Sequence, residues 1–205
     1  MGETHEYTVK NHPIEKIIFW IAAFSIIISP YVAKFLNYIL NYELNFTFTV
    51  TISSSATFAL LYWGFKTYLW KFKLFEKIFK FPNLNGQYLV EGTSIKNPTG
   101  KKIKWTGNII IEQSWDRIII TLETNNSKSC SKSVVGAIRY ISGSQKYELY
   151  YYYENEPNMA QEDLKKHEGL AHISFCKNLL NGEGYYFNNI KERESYGTMN
   201  LKRRV

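Results

Sequence analysis

Residues 44–65 read LNFTFTVTISSSATFALLYWGF, and whether this run is a strand or a helix decides what kind of protein the chain is. Its first half alternates, with Phe46, Phe48, Val50 and Ile52 set against Thr47, Thr49, Thr51 and Ser53. In water that period of two marks a half-buried strand. No charge interrupts the run, and as a helix at about 1.5 Å per residue it extends roughly 33 Å, enough to cross a hydrocarbon core. A lone strand in lipid leaves its backbone N–H and C=O groups without partners, so a transmembrane helix is expected. On that helix Thr47, Thr51, Ser55 and Ala59 form a ridge at four-residue spacing. Small and hydroxyl-bearing residues let helices approach closely and hydrogen-bond across the contact. The ridge either packs on another helix of the same chain or drives self-association in the membrane.

Upstream, Ile17–Ala33 (IIFWIAAFSIIISPYVA) is a second apolar run, bounded by Lys16 and Lys34. It is slightly short at about 25 Å, but flanking lysines snorkel and Trp20 and Tyr31 sit where interfacial aromatics belong. A cleaved signal peptide does not fit, since no basic segment opens the chain and no small-residue cleavage pattern follows. Pro30 is expected to kink or end this helix. The connection 37–43 (NYILNYE) carries no Lys or Arg, whereas KTYLWKFKLFEKIFKF, at 66–81, carries Lys66, Lys71, Lys73, Lys77 and Lys80. The excess of positive charge on the cytosolic side then places both termini in the cytosol. The same stretch, with Tyr68, Trp70, Phe72, Phe75 and Phe79 between its lysines, reads as a basic aromatic helix at the membrane surface.

Phe81-Pro82-Asn83 ends the helical region, and the domain boundary is expected there: 1–80 a transmembrane hairpin with its basic tether, 81–205 a soluble domain. From Leu84 onward eight β-like runs follow, roughly Gly86–Ile95, Ile103–Gln113, Trp115–Glu123, Val134–Ser142, Lys146–Glu154, Glu168–Lys177, Leu180–Asn188 and Ser195–Arg204. Tyr147, Leu149, Tyr151 and Tyr153 alternate with Lys146, Glu148, Tyr150 and Tyr152. No amphipathic helix separates the runs, so a parallel βαβ sheet does not fit, and only Asn155–His167 leaves room for a helical turn or lid-like loop. GQYLVEG and GEGYYF carry glycines of the kind that bend strands at barrel corners. The expected fold is an eight-stranded antiparallel up-and-down β-barrel, with a two-sheet sandwich as the alternative.

Mean hydropathy is only −0.28 because the apolar third is averaged with a polar, β-rich remainder. Twenty-five Lys and Arg against 18 Asp and Glu leave a net charge of +7, which suits anionic lipid or a phosphate-bearing ligand. Cys130 and Cys176 show no CxxC spacing, and His5, His12, His167 and His172 show no metal-ligand spacing, so neither a metal nor another cofactor is expected. No P-loop, GxSxG or HExxH is present, and enzyme chemistry is not expected. Phosphates want Arg or Lys and nucleobases want aromatic faces. Lys104, Trp105, Arg117, Arg139, Tyr151 and Tyr153 supply that mixture and are the candidate nucleotide-binding residues. The alternative for each is ordinary, with aromatics filling the core and cations solvated. A nucleic-acid polymer is not expected, because the basic residues thin out after Lys104. A tethered scaffold whose barrel holds an apolar ligand or a protein is the rival of a different class.

Two membrane helices, a basic tether, FPNLNGQYLVEG opening a β-domain, and GEGYYF and YGTMNLKRR closing it resemble one family. It is the two-transmembrane, β-strand-rich effectors of bacterial CBASS antiphage operons, the SMODS-associated type with a minimal β-barrel. The resemblance covers essentially the whole chain. It implies a cytosolic barrel that recognises a cyclic dinucleotide made by a partner nucleotidyltransferase. It also implies a homo-oligomer on activation, and membrane helices that then disrupt the bacterial inner membrane and kill the infected cell.

Overall fold

A computed structural model describes residues 4–10, 14–44, 53–96, 99–125, 129–156, 167–188 and 195–204. The chain forms two compact units, one of Met1–Asn11 with Lys80–Val205 and the other of His12–Phe79. The boundary expected between 80 and 81 therefore misses one feature, because the first residues belong with the β-domain.

In the helical unit α1 runs Ile14–Leu44, 31 residues that include Pro30. The helix neither ends nor breaks at Pro30. A proline leaves the carbonyl four residues back without its donor, and Ser29 Oγ donates to that carbonyl, Ile26 O, at 3.3 Å. Segment 37–43, expected as a connection, is a continuation of the same helix. Residues Ile14–Tyr42 are, among the described residues, one helix long and apolar enough to cross a membrane. The second helix, α2, spans Ser54–Thr67 and is capped by Ser53, whose side chain accepts from Ala56 N. Its expected first half, with Thr47 and Thr51, lies outside the described residues. Ser25 and Ser29 of α1 and Thr57 of α2 are buried, and Ser29 Oγ meets Ser54 Oγ at 3.3 Å. Ser55 and Ala59 are exposed. They stand two residues from Thr57, about 200° around the helix, and so face away from α1. A 3₁₀ turn at Leu69–Lys71 and the short α3, Lys73–Phe79, follow, with Leu69, Phe72, Leu74 and Ile78 exposed among the lysines.

The other unit is a closed barrel with nine strands among the described residues, one more than the eight expected. Eight form the expected antiparallel meander: β2 Gly86–Lys96, β3 Lys101–Gln113, β4 Arg117–Thr124, β5 Cys130–Ile141, β6 Lys146–Glu156, β7 His167–Phe175, β8 Asn181–Asn188 and β9 Ser195–Arg203. The meander returns on itself where β2 pairs with β9 from Tyr88↔Arg203 to Lys96↔Ser195. The ninth strand is β1, His5–Val9, which lies ahead of the membrane helix. β4 and β5 pair over only three residues, Thr121↔Lys132 to Glu123↔Cys130. Beyond a bulge between Ser133 and Val135 they part, and β1 fills the gap. It runs antiparallel to β4 at His5↔Ile118 and parallel to β5 from Tyr7↔Gly136 to Val9↔Ile138. The ladder groups that β4 and β5 would leave open thereby find partners. β5 starts four residues before the expected Val134, because its first inward residues, Ser131 and Ser133, are polar and carry no apolar alternation.

Period-two alternation fills the interior. Tyr88, Ile109, Ile111, Ile118, Ile120, Ile138, Leu149, Ile173, Phe175 and Leu201 form the core at one end. FPNLNG folds back to close that end. Phe81 stacks on Trp115 with centroids 4.6 Å apart, and Leu84 is fully buried. Gln113 ties the plug down, accepting from Leu84 N at 2.8 Å and donating to Tyr7 Oη and Pro82 O. Arg203 lies over the Tyr88 ring and donates to Asn85 O.

Candidate functional site

The opposite end of the barrel is open. The inward residues change there from aliphatic to aromatic and polar, because the same alternation that placed Tyr147 and Leu149 inward carries on through Tyr151, Tyr153 and Asn155. The result is a cavity of about 220 Å³ walled by Trp105, Tyr151, Tyr153, Tyr186, Met199 and Ala171 and rimmed by serines and asparagines. The rings fit because glycines oppose them. Added Cβ atoms at Gly92, Gly169 and Gly197 would collide with the rings of Trp105, Tyr153 and Tyr186 respectively.

Hydrogen bonds fix these side chains. Trp105 Nε1 donates to Tyr186 Oη at 3.1 Å, and Tyr186 Oη also meets Ser94 Oγ. Tyr153 Oη donates to Asn188 Oδ1, whose amide nitrogen donates to Ser195 Oγ at 2.8 Å. Asn155 Nδ2 donates to Ser131 Oγ at 2.9 Å. Asn155 itself is 3% exposed, and among the described residues its Oδ1 has no hydrogen-bond partner. A buried acceptor left without a donor costs about 1–3 kcal/mol, which marks Asn155 as a candidate contact for a guest. Burial pushes the Tyr151 phenol well above its ordinary range, which keeps it a neutral donor. Lys96 and His167 are the basic side chains lining the mouth.

Three of the six expected binding residues, Trp105, Tyr151 and Tyr153, converge on this cavity. The other three are elsewhere. Lys104 is the neighbour of inward Trp105, so the pleat turns it to the outer face, where it is exposed. Arg117 starts β4 at the closed end, and its guanidinium donates to Thr4 O at 2.9 Å. Arg139 lies on the outer wall of β5, bound to the Glu148 carboxylate and 3.1 Å from Tyr150 Oη. Glu148 is held below the ordinary carboxylate range, partial burial being outweighed by hydrogen bonds from Tyr150 and Arg139 and by the Arg139 charge. Asn155, Tyr186, Ser94, Asn188 and Lys96 are functional candidates that the composition of the strands did not mark. Parity was the available signal for two of them. Asn155 is a polar residue in phase with three buried aromatics, and Tyr186 shares a face with Gly182 and Gly184.

A cavity of this kind can stack a planar base on aromatic faces and read its edge with neutral polar groups. Among the described residues no group of His, Cys, Asp and Glu is placed to hold a metal ion.

Comparison with known proteins adds three findings. Residues 79–203 match the family described as Cap15, cyclic dinucleotide receptor domain. Residues 15–71 match the family described as Cap15, TM helices. The CD-NTase-associated protein 15 of Yersinia aleksiciae is 33% identical over 210 aligned positions, covering 98% of this chain and 98% of that protein.

Proposed function

The chain belongs to the Cap15 family, with a cyclic dinucleotide receptor domain joined to membrane helices, and from that premise we propose a non-enzymatic antiphage effector whose barrel mouth is the ligand site. One base of the cyclic dinucleotide stacks among Trp105, Tyr151 and Tyr186, and its edge donates to Asn155 Oδ1. The cavity below the mouth is neutral, so the phosphodiester ring stays at the rim, where Lys96 and His167 lie. The convergence of Trp105, Tyr151, Tyr153 and Tyr186 on one cavity is the observation that carries this reading, and Asn155 Oδ1, buried and without a partner among the described residues, supplies an acceptor beside them.

The downstream steps belong to the same proposal. Ligand binding favours an assembled state of several copies, to the extent that the assembled state binds the ligand more tightly. Assembly then brings the membrane helices together and disrupts the bacterial inner membrane, with the protein multi-pass and both termini cytosolic. The ligand is supplied by a nucleotidyltransferase that joins two nucleotides in a ring.

Calorimetry of the full-length protein in detergent against a panel of cyclic dinucleotides tests the receptor step. At least one ligand is expected to give heat and raise the melting temperature. A panel that does neither sinks the reading. Co-expression with a cyclic-dinucleotide synthase tests the second step, for which loss of membrane integrity is expected. Intact membranes with binding preserved would leave a receptor and remove the killing mechanism.

A further inference from the structure

The outer wall of the barrel carries an apolar girdle that the ligand site does not use. Cross-strand registers place Val135, Tyr152, Leu170, Phe187, Tyr196 and Ile95 side by side in one row across β5, β6, β7, β8, β9 and β2. A second row beneath it runs Tyr150, His172 and Tyr185, with ring centroids 4.4 and 5.0 Å apart. Val135, Tyr185, Phe187 and Tyr196 remain 55%, 50%, 43% and 47% exposed. At roughly half of a side chain's area each, these four alone present on the order of 350 Å², the size of the largest patches that monomers carry.

Charge is distributed unevenly along this row. At the β6–β7 end Glu154 and Glu168 stand directly opposite each other just above it, with Glu168 accepting from Tyr152 Oη. Glu156 follows on β6, and these three carboxylates outnumber Lys132, which stands beside Glu154 and bridges Glu156. At the other end the row passes from Ile95 to Lys102, with Lys104 one step below, both exposed. The acidic and basic ends are separated by several strands around the barrel, so a single protomer cannot bring them together. We propose that a second copy of this chain covers the girdle, its β9–β2–β3 face docking on the β5–β7 face of its neighbour, with Glu154 and Glu168 opposed to Lys102 and Lys104. The contact joins unlike faces and leaves one of each unused, so it adds copies rather than stopping at two. This goes beyond the ligand site but rests on the assembly step proposed above. Lipid is the weaker occupant. The apolar band is only two residue rows tall, and the acidic residues above it, Glu154 and Glu168, disfavour an anionic bilayer surface.

The test uses full-length protein in detergent at high concentration and, separately, with each cyclic dinucleotide, read by chemical cross-linking and light scattering. The double variants Glu154→Lys/Glu168→Lys and Lys102→Glu/Lys104→Glu each make both faces alike in sign. Each alone is expected to need at least about tenfold more protein to assemble, and an equal mixture is expected to recover the wild-type ladder. Phe187→Ser, which carries no charge change, is expected to weaken every ladder. Wild-type assembly by both doubles overturns the proposal, as does failure of the mixture when each double melts like wild type. Protection of the Tyr185 and Phe187 side chains from hydroxyl-radical labelling in nanodiscs holding one copy each would assign the girdle to lipid and overturn it as well. Calorimetry on the same doubles separates the two readings. Lost assembly with binding intact isolates the girdle, and absent binding by wild type fails the receptor while the ladders still report on this surface.

Discussion

Ser133 Oγ lies 2.7 Å from His5 Nε2 and accepts the Ile120 amide at 2.9 Å, so one hydroxyl joins the N-terminal strand to the place where β4 and β5 part. Ile120 N–H is buried there, and the bulge at Ser133/Val135 has carried the β5 backbone away from it. Ser133→Ala is expected to cost about 1–3 kcal/mol, because it leaves that amide without an acceptor. His5→Ala removes only the bond to β1 and is expected to cost less, on the order of 1 kcal/mol. Urea unfolding of the full-length protein in detergent, followed by barrel fluorescence, checks the order. A smaller loss for Ser133→Ala than for His5→Ala would contradict it.

Asn155→Ala removes the buried acceptor and is expected to weaken cyclic dinucleotide binding by at least about tenfold. Asn155→Asp keeps an acceptor and is expected to retain ligands whose bases present an amino or imino donor. Isothermal titration of both variants against the same panel decides the matter, and unchanged affinity for Asn155→Ala removes this atom from the site.

Trp105→Ala is expected to cost about 1–3 kcal/mol of binding through lost stacking. Gly92→Ala is expected to do much the same from a distance, because its methyl would occupy the space of the Trp105 ring. Arg117→Ala and Arg139→Ala are expected to leave affinity within about twofold, since both guanidinium groups are bound outside the cavity. Titration of the four variants side by side would contradict this placement if Arg139→Ala proved the weakest binder.

His172 sits between Tyr150 and Tyr185, and burial lowers its pKa from the ordinary 6.5, a shift opposed by Glu148 and reinforced by Arg139. The unfolded chain therefore takes up this proton before the folded one does, and stability falls as pH drops below 6.5. Glu148, with its pKa held below the ordinary 4.5, contributes stability that is lost only at lower pH, in a separate window. His172→Phe keeps the ring stack and is expected to flatten the Tm profile just below pH 6.5. An unchanged slope in a thermal-melt series would reject the assignment.

Ser55 and Ala59 face away from α1, whereas Ser29 meets Ser54 across the α1–α2 contact. Ser55→Leu/Ala59→Leu is expected to leave hairpin stability unchanged and to reduce membrane damage on co-expression with a synthase. Ser29→Leu is expected to lower hairpin stability by overpacking a buried contact. Dye-leakage assays on cells expressing each variant, with expression level matched, distinguish the two faces. Equal leakage from both variants and the wild type would remove the ridge from the mechanism.

Much of this architecture was legible in residue order. Two long uncharged runs, the first flanked by lysines and the second followed by a cluster of them, announced the membrane part. Strict alternation from Tyr147 to Tyr153 announced strands with one buried face, and short turns every ten residues or so announced a meander. That Trp105, Tyr151 and Tyr153 line the cavity was legible, because alternation places them inward near the open ends of their strands. Lys104, Arg117 and Arg139 were chosen by chemical type, which carries no information about face or barrel end. Pro30 does not end its helix, for a related reason. Whether a proline ends a helix depends on whether a neighbour, here Ser29 Oγ, supplies the missing donor.

The sequence by itself determined the local terms: which segments are apolar enough for lipid, which alternate with period two, and where turns fall. These depend on spacings of a few residues. Only the tertiary structure decided that residues 5–9 complete the barrel, that its closed and open ends differ, that Asn155 is buried beside the cavity, and that six outward side chains from six strands align in one row. Each of these is set by register between strands far apart in the chain. A shift of one residue in that register would turn every one of those side chains to the other face of the sheet.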